Sequence, residues 1–76
     1  MMTYEEWIKS TEFGLRRRYK IEEITYKDGA MFVDFETEFI FMADKEELRY
    51  LYLNDGFDEL CKEIERHFLF QIKKDI

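Results

Sequence analysis

The dipeptide Asp28-Gly29 constrains this chain more than any other feature. A two-residue type I′ turn needs positive φ at both central positions, and Asp followed by Gly is a preferred pair for it. Such a turn also fixes the register of the strands on either side. Lys27 then faces Ala30, Tyr26 faces Met31, Ile24 faces Val33 and Glu22 faces Phe35. Ile24, Tyr26, Met31, Val33 and Phe35 fall on one face, while Glu23, Thr25, Phe32 and Asp34 fall on the other. The pattern predicts a hairpin with one face packed on helices and the other largely open to solvent.

The alternation runs on past Phe35. Thr37, Phe39 and Phe41 continue the apolar phase, and Glu36 and Glu38 the polar one. This is either one long bent strand to about Met42 or two strands broken near Glu36-Thr37. Two short strands in a meander are preferred, because a long unpaired edge is hazardous. A third strand that turns back is expected to set Ile40 and Met42 opposite Val33 and Met31.

Helices are predicted on both sides of this segment. Thr3 and Glu6 form a capping-box pattern, and Tyr4, Trp7, Ile8, Thr11, Leu15 and Tyr19 then recur at helical spacing. Glu5–Lys9 and Glu12–Arg16 stand at i,i+4 with the acid first, the favourable order. Gly14 costs the middle of this helix about 1 kcal/mol relative to Ala and marks a place to bend or end. The helix is expected to reach Arg18. Asp44 with Glu47 marks a second helix start, with Leu48, Leu51 and Tyr52 as its buried stripe. Asn54-Asp55-Gly56 closes it, with Gly56 read as the left-handed cap. A third helix begins at Phe57 and carries Leu60, Cys61, Ile64, Phe68, Gln71 and Ile72 as a stripe, with Lys73 and Lys74 at its end. Residues 67–72 also fit a strand with Phe68, Phe70 and Ile72 on one face. No turn residue precedes them, so helix is preferred throughout. The expected fold is a small two-layer α+β domain spanning 1–76, in the order α-β-β(-β)-α-α.

A chain of 76 residues has a marginal core, and its eight Phe, five Tyr and one Trp compensate with large buried areas. Cys61 is the only cysteine, so no intrachain disulfide can form and a reducing compartment suits it. Glu5 and Glu6 come too early for a signal peptide, and no apolar run approaches the roughly 18 residues of a membrane span. A soluble, cytoplasmic protein is expected.

No motif for chemistry stands out. Cys61 and His67 are six residues apart and so project from different sides of a helix. That opposes both a metal site and a thiol–imidazole pair. Glu63 and His67 read as a surface pair, and Cys61 as a core thiol. Ser10 has no nucleophile signature, and there is no glycine-rich phosphate loop. The protein is therefore read as a non-enzyme without cofactor or metal.

Charge points to a partner instead. Between Glu22 and Glu59 stand twelve acidic and three basic residues, a local net of −9, within a chain whose total is −6. Asp34, Glu36 and Glu38 alternate, so on an extended strand they share one face at a spacing of about 6.7 Å, comparable to phosphates along a nucleic-acid strand. Glu46 and Glu47 follow at the next helix start, and Glu22 and Glu23 lie on the neighbouring strand. Such a ribbon suits a basic groove on a protein partner, and small acidic proteins that block nucleic-acid-binding enzymes work this way as a class. Two other readings stand beside it. One is an adaptor that homodimerises through a patch of exposed aromatics, Phe32, Tyr50 and Phe70. The other is nucleic-acid binding through the basic run from Arg16, Arg17 and Arg18 to Lys20, which the negative total charge opposes.

Overall fold

The computed structural model describes residues 2–72, with side chains through His67. The side chains of the stripe positions Phe68, Gln71 and Ile72 and of Phe70, and Lys73 and Lys74 altogether, lie outside what is described. Six elements follow in order: α1 (Tyr4–Arg18), β1 (Ile21–Lys27), β2 (Ala30–Phe35), β3 (Ile40–Ala43), α2 (Lys45–Leu53) and α3 (Phe57–Ile72). This is the expected α+β order with the third strand present, and residues 67–72 continue the helix.

Both helix starts are built as the sequence implies. The Thr3 hydroxyl accepts the Glu6 N–H at 3.1 Å, and the Glu6 carboxylate accepts the Thr3 N–H at 2.8 Å. The Thr3 N–H first, and then the Thr3 hydroxyl beside it, hold the Glu6 carboxyl below its usual range. Asp44 caps α2 by accepting the Glu47 N–H at 2.8 Å. Helix α1 runs unbroken through Gly14. A Cβ there would lie 2.6 Å from Phe57 Cζ, so the glycine serves the close approach of α3 rather than a bend.

The sheet is an antiparallel meander, β1-β2-β3. Asp28 and Gly29 have φ of 54° and 82°, as a type I′ turn requires, and Lys27, Tyr26 and Ile24 pair with Ala30, Met31 and Val33. The register then departs from simple alternation. A bulge between Ile21 and Glu23 makes Ile21, not Glu22, the partner of Phe35. The extra residue returns an apolar side chain to the core face and leaves Glu22 exposed. At the far end β2 stops at Phe35, whose N–H donates to the Phe39 carbonyl at 3.1 Å. With three residues between that pair, Phe41 faces Val33 and Ala43 faces Met31. Ile40 and Met42, expected opposite Val33 and Met31, stand instead opposite Asp34 and Phe32 on the outer face.

The C-terminus of α2 also differs from expectation. The left-handed residue is Asp55, with φ of 49°, and not Gly56. The Gly56 N–H donates to the Leu51 carbonyl at 2.8 Å, and the Asp55 N–H to that of Tyr52 at 3.3 Å. This is a Schellman arrangement in which the residue just after the Asn54 cap must be left-handed. Gly56 serves close packing, since its Cβ would fall 2.8 Å from Leu51 Cδ2.

All three helices cover one face of the sheet. Trp7, Leu15 and Tyr19 of the α1 segment, Leu48 and Leu51 of α2, and Leu60, Cys61 and Ile64 of α3 close over Met31, Val33, Phe35 and Phe41. Among the described residues no helix packs on the other face.

Candidate protein-interaction face

Alternation decides which side chains the uncovered face presents. They are Glu23, Thr25 and Lys27 from β1, Ala30, Phe32 and Asp34 from β2, and Ile40 and Met42 from β3. Cross-strand pairing arranges them in rows, Thr25–Phe32–Met42 and Glu23–Asp34–Ile40. Side chains opposite or diagonal across a sheet lie within reach of one another. Phe32, Met42 and Ile40 therefore form a continuous apolar strip. Ile40 is 59% and Met42 50% exposed, while Phe32 is half-buried.

Carboxylates border that strip. Glu23 stands directly opposite Asp34 in the lower row. Asp28, Asp44 and Glu46, together with Lys27 and Lys45, join Phe32 and Met42 around a shallow depression at the α2 end. Glu36 and Glu38 are exposed in the β2–β3 turn. The carboxylates are thus a rim and not a ribbon. Because β2 ends at Phe35, Glu36 and Glu38 do not continue the face of Asp34 on an extended strand, and the two-residue spacing is not formed.

The remaining candidate residues fall on other surfaces. Glu22 is exposed at the bulge. Glu47 is half-buried and turned towards α3, where burial, then Glu63 and Asp44, push its carboxyl up. Tyr50 is exposed beside Lys62 and Glu63 on the helical layer, so it shares no patch with Phe32. Arg16, Arg17 and Arg18 are exposed where α1 ends, a favourable place for cations. The Arg17 guanidinium lies 5.8 Å from the Phe13 ring centre, and that of Arg18 lies 5.1 Å from the Phe57 ring centre and 3.9 Å from Asp58.

Cys61 is buried and its thiol is pushed up by that burial, which keeps it out of the reactive thiolate form. His67 pairs with Glu63 at 3.8 Å on the outside of α3. Among the described residues no helix is long and apolar enough to cross a membrane.

Ile40 and Met42 are the residues that sequence reasoning missed here. Counting in twos from Phe35 through Phe39 to Phe41 places them outward, but only once the turn at residues 36–38 is known. Compared with known proteins, the chain matches no family model, no curated protein and no solved structure.

Proposed function

We propose that this protein is a non-enzymatic, acidic interaction module that occludes a basic, nucleic-acid-binding surface of a partner protein, as phage-type anti-defence inhibitors do, and that it acts in the cytoplasm. The observation that carries this reading is the apolar strip of Phe32, Ile40 and Met42, rimmed by Glu23, Asp34, Asp44 and Glu46, on the face that no helix covers among the described residues. Protein interfaces combine an apolar centre with a polar rim in this way. The rim sets the partner's sign: carboxylates repel a second copy of this chain and draw a Lys- or Arg-rich surface, speeding encounter. Methionine adds a flexible, polarisable contact suited to a centre that must fit another surface.

The deciding experiment is capture of partners from lysate at low and high salt. One variant carries Glu23→Gln, Asp34→Asn and Glu46→Gln, and a second carries Ile40→Ser and Met42→Ser. Capture of a nucleic-acid-handling protein, weakened by salt and by both variants, supports occlusion. A partner retained by both variants moves the interface off this face. Dimers that persist in high salt and vanish with the second variant favour the homodimeric adaptor.

A further inference from the structure

A second concavity lies on the helical side of the sheet, where α1, the β1–β2 hairpin and α2 meet. It is an open groove with about 410 Å³ of space, within the range of small-molecule sites. Its floor is the stripe Tyr4, Ile8 and Glu12, three positions four residues apart along about 12 Å of α1. Tyr26 forms one wall, and its hydroxyl donates to the Glu12 carboxylate, which fixes the ring. The stem of Lys45 forms another wall against Gly29, where a Cβ would lie 2.9 Å from Lys45 Cδ. Arg49 sits over the Tyr4 ring, its guanidinium carbon 4.0 Å from the ring centre.

The charges here run against the rest of the molecule. Of the three basic residues between Glu22 and Glu59, two, Lys45 and Arg49, reach this groove, and Lys9 joins them from α1. The chain has 18 acidic residues, yet among the described residues Lys9, Lys45 and Arg49 have no carboxylate within 4.0 Å. Two carboxylates, Glu5 and Glu12, line the groove as well, and Glu12 accepts the Tyr26 hydroxyl, so three cations face two anions and the lining keeps a net charge of +1. Lys45 is also the first residue of α2, where the helix dipole disfavours a cation, so helix stability does not account for it.

From this juxtaposition we infer that the groove binds a small amphipathic organic anion. Tyr4, Ile8 and Tyr26 grip its apolar or aromatic body, and Lys9, Lys45 and Arg49 hold a single carboxylate, sulfonate or phosphate head. The groove opens on the helical side of the sheet and shares only Lys45 with the depression on the docking face, so Lys9 and Arg49 are the cations that belong to it alone.

The test uses two probes that share one aromatic body. The first, 1-anilinonaphthalene-8-sulfonate, carries the anionic head; the second, N-phenyl-1-naphthylamine, lacks it. Titrations are followed by fluorescence and by amide chemical shifts of the full chain. The sulfonate is expected to bind at least about tenfold more tightly than the neutral probe, a difference of about 1.4 kcal/mol. Shifts should fall on residues 4–12, Gly29 and residues 45–49. The double variant Lys45→Glu, Arg49→Glu should lose at least that factor while its amide spectrum keeps native dispersion. Should that variant unfold, Lys9→Glu alone serves the same purpose from the helix surface. Equal affinity for both probes, shifts centred on Phe32 and Met42, or no saturable binding at about 1 mM sulfonate would each overturn the inference. So would sedimentation with phosphatidylserine vesicles without any response to the dissolved probe, since that would assign the cations to a lipid surface.

Discussion

The Tyr19 hydroxyl donates to the Glu65 carboxylate and thereby ties the end of α1 to the middle of α3. The Tyr19 ring is fully buried, and it meets the Phe35 ring edge-on with centres 6.4 Å apart. One side chain thus joins both outer helices to the central strand. Tyr19→Phe keeps the ring and removes only the hydroxyl. Loss of a hydrogen bond to a charged, half-buried acceptor is expected to destabilise the fold by about 1.5–3 kcal/mol, read from urea unfolding.

The same contact fixes an alkaline pH dependence. Burial first, then the bond to Glu65, raises the Tyr19 phenol; burial and the bond to Glu12 do the same for Tyr26. A phenol raised in the folded state contributes stability that is complete below its unfolded value of about 10 and is lost as pH climbs towards the folded one. Stability of the native chain should therefore fall from about pH 10 upward more steeply than that of Tyr19→Phe. In a native absorbance titration, Tyr19→Phe and Tyr26→Phe should leave the phenolate amplitude near pH 10 unchanged. A drop in amplitude would show that these hydroxyls ionise normally.

Two glycines predict opposite behaviour from their neighbours. Gly14→Ala gains about 1 kcal/mol in helix propensity but drives a Cβ to 2.6 Å from the Phe57 ring. The substitution should be neutral or destabilising alone and stabilising by about 1 kcal/mol in a Phe57→Ala background, a coupling that a double-mutant cycle measures. Asp55→Gly should stabilise by about 0.5–1 kcal/mol, because Asp55 and not Gly56 holds the left-handed position. Gly56→Ala should destabilise through the contact with Leu51.

These positions also show what the sequence makes legible. Thr3 with Glu6, Asp44 with Glu47, and Asp28-Gly29 act over a few residues, so their patterns specify helix starts and a turn without further context. The bulge at Ile21–Glu23 has no such local signal, because it answers the need to bury Ile21 against Phe35 across the sheet. The phase of β3 depends on a turn at residues 36–38 that lacks both Gly and Pro. An error of one residue there inverts the face of Ile40 and Met42. The hairpin pattern therefore places Glu23 and Asp34 on the open face, while the positions of Glu22, Glu36 and Glu38 and the outward Ile40 and Met42 emerge only from the bulge, the turn and the register, and that of Glu47 from the packing of α2 on α3.

Glu23 and Asp34 supply the prediction that links stability to function. They stand directly opposite each other on the open face, and like charges so placed weaken a sheet by about 0.2–1 kcal/mol. Both are within the rim proposed to meet a basic partner. Glu23→Lys replaces repulsion with an opposite-charge pair, so it should raise the urea midpoint at low salt, with the gain shrinking as salt screens the pair. The same substitution places a cation in the rim and should slow association with a basic partner. A variant that is more stable yet binds more weakly would mean that the fold keeps a repulsive pair because the partner requires it. A gain in stability with unchanged association would leave Asp34 in the interface and place Glu23 outside it.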